Sequence, residues 1–232
     1  MSVLLQCRKL TKRFGAKEAL SQVNLELESG HIIGFLGPNG SGKTTMIKII
    51  TGLLQPTAGE ILFCGGFIGP ESKKQISYLP DQTYLDNNQK VKDVVGLFED
   101  FYADFDRERA YDMLGKLKIG PQERLKTLSK GTKEKVQLIM VMSRKAKLYV
   151  LDEPIAGVDP AAREYILNTI ISAYEPQSSI LLATHLIADV ENILDEAVII
   201  KNGQIVRHSS VDEIRMQEGK SLDAYFREVF RC

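Results

Sequence analysis

Apolar residues recur along this chain with two different periods, and these periods predict alternating strands and helices. Val23–Glu28 alternates apolar and polar residues, as is typical of an antiparallel strand with one exposed face. From Val91 to Ile119, and again from Thr132 to Lys145, apolar residues lie three or four positions apart, which is a helical spacing. We therefore expect a single domain over residues 1–232, with a helical insert at about residues 83–145.

Shorter apolar runs predict a parallel sheet that is covered on both faces. Leu148–Leu151 and Ile180–Ala183 are continuous and lack alternation, and a helical stretch, Ala161–Tyr174, separates them. Val198–Lys201 and Gln204–Arg207 flank Asn202-Gly203, a pair that suits the tight turn of a hairpin. The other predicted elements are strands at Val3–Leu10, His31–Leu36, Gly59–Phe63 and Ile76–Leu79, and helices at Lys43–Gly52 and Leu222–Phe230. This alternation predicts an α/β fold.

A glycine-rich loop follows the predicted strand His31–Leu36 and opens a predicted helix. Its sequence, Gly37-Pro-Asn-Gly-Ser-Gly-Lys43-Thr44, matches GxxxxGK[ST] in full. In such a loop the backbone N–H groups wrap phosphates, the lysine reaches the β- and γ-phosphates, and the hydroxyl ligates Mg²⁺. The alternative is a chance glycine-rich turn, which the strand before the loop and the helix after it disfavour.

Two carboxylates, Asp152 and Glu153, end the predicted buried strand Leu148–Leu151. Ligands bind at the carboxyl ends of parallel strands, so one acid there can hold a magnesium water shell while its neighbour polarises an attacking water. An acidic pair after an apolar strand is also common as a helix cap. The phosphate loop makes the nucleotide interpretation the stronger one.

Two further polar segments stand at the start or end of predicted elements. His185 follows the next buried strand, and we expect it to contact the γ-phosphate rather than to be an ordinary surface histidine. Ser129 and Gly131 precede the helix Thr132–Lys145, where a helix N-terminus can bind an anion. On spacing alone, however, Ser129 is better interpreted as an ordinary N-cap.

Composition narrows the class of protein. The 232 residues carry 30 basic and 30 acidic side chains, so general electrostatic attraction to nucleic acid is not expected. The longest apolar run, Leu138–Met142, has five residues, far short of the ~20 of a membrane span, and the first residues do not form a signal peptide pattern. The three cysteines lack metal-ligand spacing. We therefore expect a cytoplasmic protein.

Taken together, the motifs resemble the ATP-binding cassette family over essentially the whole chain. The matching segments stand in the family's order: Phe14 where an aromatic residue stacks on adenine, Gly37–Thr45 as Walker A, Leu128–Thr132 as a variant of the LSGGQ signature, Leu148–Glu153 as Walker B, Ala156-Gly157-Val158-Asp159 as the D-loop, and His185 as the H-loop. The resemblance implies a P-loop NTPase core, with a mostly parallel sheet, an antiparallel β-subdomain and an inserted α-helical subdomain. It also implies ATP and Mg²⁺ as cofactors.

The resemblance assigns roles to individual residues. It implies nucleotide contacts for Phe14, Gly37, Pro38, Asn39, Gly40, Ser41, Gly42, Lys43, Thr44, Thr45, Asp81, Gln82, Ser129, Gly131 and Asp159. It implies that Glu153 and His185 are catalytic, and that Thr44, Asp81 and Asp152 hold the metal. The family's Q-loop glutamine is displaced here, because Asp81 follows Tyr78-Leu79-Pro80 and Gln82 comes one place later. A carboxylate is a hard oxygen ligand, which favours Asp81 as the residue that reaches the metal. The alternatives are that Gln82 fills this role, or that both residues face the permease and neither touches metal.

The variant signature, Leu-Ser-Lys130-Gly-Thr, is similar to those of bacitracin- and lantibiotic-exporter cassettes, and the tail Leu222–Phe230 resembles theirs too. The resemblance then implies a subunit that dimerises head to tail around two ATP molecules, as a homodimer or heterodimer. It would power a separate permease from the inner face of the membrane, docking through the Q-loop and Tyr84–Phe105. A soluble cassette ATPase acting on nucleic acid or the ribosome is the alternative. Only 85 positions separate Thr44 from Ser129, too few for the long arm of such proteins.

Overall fold

Two β-sheets organise the computed structural model, which describes residues 2–158, 160–175 and 177–231. The smaller sheet is antiparallel and contains β1 (Val3–Phe14), β2 (Lys17–Glu28), β4 (Ala58–Phe63) and β5 (Gly66–Phe67), in the order β2-β1-β4-β5. The larger sheet contains β3 (Ile32–Leu36), β6 (Ile76–Leu79), β7 (Leu148–Asp152), β8 (Ser179–Thr184), β9 (Glu196–Lys201) and β10 (Gln204–Ser210).

The strand order of the larger sheet is β10-β9-β3-β8-β7-β6. Its five strands from β9 to β6 are parallel to one another, and β10 is antiparallel to β9. Since β3 lies between β8 and β9, the loops after β3, β7 and β8 meet at one edge of the sheet. The predicted α/β fold, with a mostly parallel sheet and an antiparallel one, is confirmed.

Helices cover the larger sheet and fill the segment between β6 and β7. They are α1 (Lys43–Ile50), α2 (Pro70–Lys74), α3 (Val91–Phe101), α4 (Arg107–Lys116), α5 (Lys130–Met142), α6 (Pro160–Ala173), α7 (Ile187–Val190), α8 (Val211–Glu218) and α9 (Leu222–Val229), with 3₁₀ turns at Leu125–Thr127 and Glu191–Ile193. No helix within the described ranges combines the length and apolar composition that crossing a bilayer requires.

Two hydrophobic clusters lie on opposite faces of the larger sheet. In β7, Leu148 and Val150 pack into the cluster shared with the antiparallel sheet and α1, whereas Tyr149 and Leu151 pack into the cluster beneath α3, α4 and α5. Strand β8 divides in the same way. Both strands are buried along their whole lengths, as their continuous apolar runs predicted.

The structure differs from the sequence predictions mainly at element boundaries. Strand β1 continues past Leu10 to Phe14, because its polar end pairs with residues 17–20 of β2, where the apolar pattern is weak. The helical pattern of Val91–Ile119 is interrupted between α3 and α4, and the side chain of Asp106 caps α4 by accepting a hydrogen bond from the N–H of Arg109 at 3.0 Å.

Candidate nucleotide site

A cleft of about 580 Å³ lies where the loops after β3, β6 and β7 approach the antiparallel sheet. Most of its lining comes from residues that the sequence analysis had selected. The lining consists of Phe14, Lys17, Glu18, Ala19, Pro38, Asn39, Gly40, Gly42, Lys43, Thr44, Thr45, Asp81, Glu153, Asn202 and Gly203. The cleft is therefore the place where a ligand would meet the glycine-rich loop.

The loop between β3 and α1 depends on glycine at two positions where space is limiting. Gly42 has φ +115°, and a Cβ there would lie 2.8 Å from the carbonyl oxygen of Ala19. A Cβ on Gly37 would lie 2.5 Å from Oγ of Ser41. Ser41 is buried, and its Oγ has no hydrogen-bond partner among the described residues. The loop thus wraps tightly, with Gly37 and Ser41 outside the cleft lining and Pro38, Asn39 and Gly40 on its wall.

The Lys43 side chain is 5 % exposed and lies along this loop. Its Nζ donates hydrogen bonds to the carbonyl oxygens of Gly37, at 2.6 Å, and Pro38, at 3.4 Å. It also lies 3.3 Å from Oε1 of Glu153. A buried ammonium group held mainly by two carbonyls can turn toward an entering phosphate, which is a stronger acceptor.

Glu153 stands at the centre of the polar network and has a left-handed backbone, with φ +52°. The hydroxyl of Thr184 donates to its Oε2 at 3.1 Å, and Nδ1 of His185 lies 3.0 Å from both carboxylate oxygens. Its backbone N–H donates to the carbonyl of Ala183 in β8 at 2.8 Å. The side chain is 11 % exposed, so Lys43, Thr184 and His185 hold a nearly buried carboxylate in a fixed position.

Asp152, the last residue of β7, is 1 % exposed and belongs to a cluster of negative charge. Burial, followed by the neighbouring carboxylates of Asp81 and Glu153, raises its pKa to about 6, the value that remains after the opposing effects are included. Lys43 and a hydrogen bond from the Thr44 hydroxyl lower it. The three carboxylates and the hydroxyl are hard oxygen donors, which Mg²⁺ prefers, and one ammonium group lies beside them.

This donor set fits a metal that shares its ligands with phosphate. Among the described residues, no group of three or more His, Cys, Asp and Glu side chains is arranged to hold a metal ion by itself. Magnesium is usually bound through one or two carboxylates together with substrate phosphates and water, which suits the position of these groups beside the glycine-rich loop.

The loop after β6 places Asp81 and Gln82 differently relative to the cleft. Asp81 lines the cleft and acts electrostatically on Asp152. Both residues are exposed, but Gln82 lies outside the lining. This geometry favours the expectation that the carboxylate, rather than the amide one place later, reaches the centre.

Phe14 lies at the other end of the cleft and is half exposed. The ammonium group of Lys12 is 5.2 Å from the centre of its ring. An exposed aromatic face at the mouth of a polar cleft can stack on a heterocyclic base, in agreement with the expected role of Phe14.

The signature residues lie away from this cleft. Ser129 caps α5, accepting a hydrogen bond from the N–H of Thr132 at 3.2 Å, and it is exposed, as is Lys130. A Cβ on Gly131 would meet no atom within 4 Å. Ser129 and Gly131 therefore present an open helix N-terminus. Asp159, the predicted D-loop aspartate, lies outside the described residues.

Sequence reasoning missed several residues that contribute to the site. Lys17, Glu18 and Ala19 enter the lining from β2, and Gly203 packs against the backbone of Ala19, where a Cβ would come within 2.7 Å. Thr184, whose hydroxyl donates to Glu153, is another such residue, and its only sequence signal is its place before His185. The Asn-Gly pair predicted the turn itself. The contact of this turn with β2 depends on how the two sheets pack, and neither segment carries a sequence pattern that indicates it.

A phosphate-binding loop on a parallel sheet, with acidic residues and a histidine on the neighbouring strand ends, defines a P-loop ATPase of the ATP-binding cassette class. The profile of the ABC transporter family matches residues 20–156. The chain belongs to this family. It is the ATP-binding subunit of an ABC transporter, and it binds nucleotide and hydrolyses ATP as the family does.

Individual relatives agree with this assignment. An uncharacterized ABC transporter ATP-binding protein of Methanocaldococcus jannaschii is 32 % identical over 219 residues, covering 92 % of this chain and 80 % of the relative. EcsA of Bacillus subtilis, an ABC-type transporter ATP-binding protein, is 30 % identical, with 97 % of this chain and 96 % of the relative covered. A solved ATP-binding subunit of an ABC transporter is 30 % identical with a TM-score of 0.88, covering 98 % of this chain and 100 % of the other.

Proposed function

We propose that ATP binds in this cleft and that Glu153 orients and deprotonates the attacking water. The position of Glu153 beside the glycine-rich loop, held by Lys43, Thr184 and His185, is the observation that carries the proposal. Phe14 stacks on adenine, residues 37–45 bind the phosphates, and His185 contacts the γ-phosphate.

The contact between Lys43 and Glu153 suggests how nucleotide prepares the base. In the structure described here, the ammonium group lies 3.3 Å from the carboxylate and neutralises it. A triphosphate carries more charge than one carboxylate and takes Lys43 as its own partner. Glu153 then keeps its bonds to Thr184 and His185 but is free to accept a hydrogen bond from water.

We propose that Thr44, Asp81 and Asp152 hold Mg²⁺ with the phosphates. When bound, the metal supplies positive charge that stabilises the phosphoryl group during transfer. The hydroxyl of Thr44 lies on α1, the carboxylate of Asp152 ends β7, and Asp81 lies in the loop after β6, so their common task is to fix the position of the phosphates relative to Glu153.

We propose further that two such subunits, identical or different, dimerise head to tail around two ATP molecules. Support comes from the exposed N-terminus of α5, where Ser129 and Gly131 are available to a phosphate of the opposite subunit. The contact would exist only while the γ-phosphate is present, so hydrolysis would release the dimer. Asp159 would communicate across this interface.

Replacing Glu153 with glutamine tests the catalytic proposal. The amide keeps the shape of the side chain but cannot take a proton, so turnover should fall at least ~100-fold while ATP binding changes less than about threefold. MgATP should then produce a stable dimer in size-exclusion chromatography. Glu60→Gln, which alters an exposed carboxylate paired with Arg8, is the matched control. A Glu153→Gln protein that hydrolyses ATP at the wild-type rate would remove this residue from its role.

We propose that the partner is a separate ABC permease, that transport is outward, and that the subunit lies in the cytoplasm against the inner face of the membrane. The signature with Lys130 supports the export direction by its likeness to exporter cassettes. A groove of about 480 Å³ supports a docking surface, since it is lined in part by Leu53, Tyr78, Tyr84 and Tyr102. Tyr84 is 54 % exposed, which leaves its ring available to a partner.

Co-purification tests the permease proposal. The chain is expressed together with candidate ABC permeases from the same genome, and the membrane fraction is assayed for the subunit. Tyr84→Asp should remove the subunit from the membrane fraction, because a charge would then replace an aromatic ring in a groove that is lined mainly by apolar and aromatic side chains. Met216→Asp, at an exposed methionine on α8, should not. Equal membrane association of both variants would contradict docking at this groove.

A further inference from the structure

The side-chain amide of Gln137 is buried, and it is not among the groups proposed to bind the nucleotide, the metal or the attacking water. Gln137 lies in the middle of α5, is 2 % exposed, and is followed by the buried residues Leu138, Ile139 and Met140. Its Oε1 has no hydrogen-bond partner among the residues that the structure describes. A buried carbonyl oxygen without a partner is strongly disfavoured, so this atom needs an explanation.

A second buried acceptor without a partner in the described part of the chain is Oδ1 of Asp152. Gln137 and Asp152 line the same small cavity of about 30 Å³, together with Asp81, Glu134 and Glu153. A cavity needs roughly 10–15 Å³ of such volume to hold a water molecule. The cavity is therefore large enough for a water, and polar groups line one part of it beside apolar residues such as Leu79, Leu138 and Ile166.

Two acceptors cannot bond to each other, but one water molecule has two O–H groups and can donate to both. We propose that Gln137 is a positioning residue of the nucleotide site, and that it holds a water in this cavity which donates to its own Oε1 and to Oδ1 of Asp152. The inference rests on the proposed role of Asp152 in holding magnesium. The water fixes the carboxylate of Asp152 while the hydroxyl of Thr44 bonds to it as well.

The proposed water would link the signature helix, α5, to the metal site of the same subunit. Gln137 lies eight residues after Ser129, about 12 Å along the same helix at 1.5 Å per residue. The bound water therefore joins the helix that begins at the signature to the aspartate of the subunit's own metal site. If α5 shifts when Ser129 contacts the nucleotide of the opposite subunit, the water between Gln137 and Asp152 would transmit that shift to the carboxylate of Asp152.

Three variants separate hydrogen bonding from packing. Gln137→Leu fills the cavity wall with apolar atoms and removes the acceptor. Gln137→Ala removes the acceptor too, but it leaves room for extra water that can still donate to Asp152. Met140→Leu is a volume-conserving change at a buried position on the same helix, outside the cavity lining, and serves as the control.

The readout is equilibrium binding of the fluorescent nucleotide mant-ATP, titrated with Mg²⁺ and measured again in EDTA. Gln137→Leu should raise the Mg²⁺ concentration for half-maximal binding about tenfold, and Gln137→Ala about threefold. The affinity in EDTA should stay the same in all three variants, and Met140→Leu should match the wild type throughout. A packing role predicts the reverse order, since alanine leaves the larger cavity.

Circular dichroism and thermal unfolding establish that each variant is folded; if Gln137→Leu does not fold, Gln137→Ala carries the comparison. An unchanged Mg²⁺ titration in the folded Gln137 variants, or an equal loss of affinity in EDTA, would overturn the inference. So would an ordered crystal structure with no solvent between Gln137 and Asp152. A wild-type protein whose affinity for mant-ATP is unaffected by Mg²⁺ would instead overturn the proposed metal site, and the inference with it.

Discussion

Replacing Arg144 should destabilise the fold more than any ordinary surface change, because its guanidinium group joins three parts of the chain. Arg144 follows α5 and is 2 % exposed. Its Nε and Nη2 donate to the two carboxylate oxygens of Asp104 at 3.0 and 3.1 Å, and Nη1 donates to the carbonyl of Ile76 at 2.7 Å. Nη2 also donates to the carbonyl of Lys74, and the group stacks 3.9 Å from the ring centre of Tyr102.

The expected loss follows from the groups that would remain. In Arg144→Met the carbonyls of Ile76, which is buried, and Lys74, whose contact is partly buried, lose their donor, at about 1–3 kcal/mol each. Asp104 is 27 % exposed and recovers part of its hydration. The sum is roughly 3–5 kcal/mol, which agrees with the loss when one partner of a buried pair is removed. For a chain of this size, that lowers the melting temperature by about 10 °C.

Urea unfolding and calorimetry measure this loss. Arg144→Lys keeps the charge but cannot reach all acceptors from one point, so it should lose about 2 kcal/mol. Lys145→Met is the matched control, because the neighbouring ammonium group is 63 % exposed and lies 3.8 Å from Asp106. Its change should stay within ~0.5 kcal/mol. If Arg144→Met unfolded within 1 kcal/mol of Lys145→Met, as an order-of-magnitude criterion, the reasoning would be refuted.

Three further predictions concern the nucleotide site and the edge of the sheet. Lys43→Ala should abolish high-affinity ATP binding in a folded protein, as isothermal calorimetry can measure, because the loop loses its side-chain cation. Asp81→Asn should raise the Mg²⁺ concentration for half-maximal ATPase activity more than Gln82→Ala does, and the reverse order would indicate that Gln82 fills the role. A hydrogen bond from His208 lowers the pKa of Glu196. Wild type should therefore be more stable than Glu196→Gln at pH 7, and this advantage should disappear as the pH falls through the lowered pKa of Glu196, where the folded protein takes up the proton.

The sequence predicted the parts of the fold whose signals are local. The continuous apolar runs of Leu148–Leu151 and Ile180–Ala183 identified buried strands, and the Asn-Gly pair identified the hairpin between β9 and β10. The glycine-rich loop was predicted with its strand and helix, because steric limits at positions such as Gly42 act within a few residues.

What the sequence could not predict depends on contacts between distant segments. The partners of Arg144 lie 40 to 70 residues away, so nothing next to Arg144 indicates that it ties β6 to the break between α3 and α4. The same holds for Gln137, whose neighbours on α5 are apolar and whose cavity forms only when α5 packs against β6 and α6, close to the end of β7. At the candidate site, ligand chemistry alone could favour Asp81 over Gln82. Only the three-dimensional structure shows that Asp81 lines the cleft and that Gln82 does not.

The left-handed backbone at Glu153 has a consequence for how this protein can be altered. A residue with a β-carbon at φ +52° carries conformational strain of about 1–3 kcal/mol, which glycine would relieve and asparagine would reduce. Relief of this strain therefore favours residues that lack the proposed base, although each of them also loses the contacts with Lys43, Thr184 and His185. Directed evolution of a more robust variant should monitor ATP turnover at every round, since a change that relieves strain at this position also removes the proposed base.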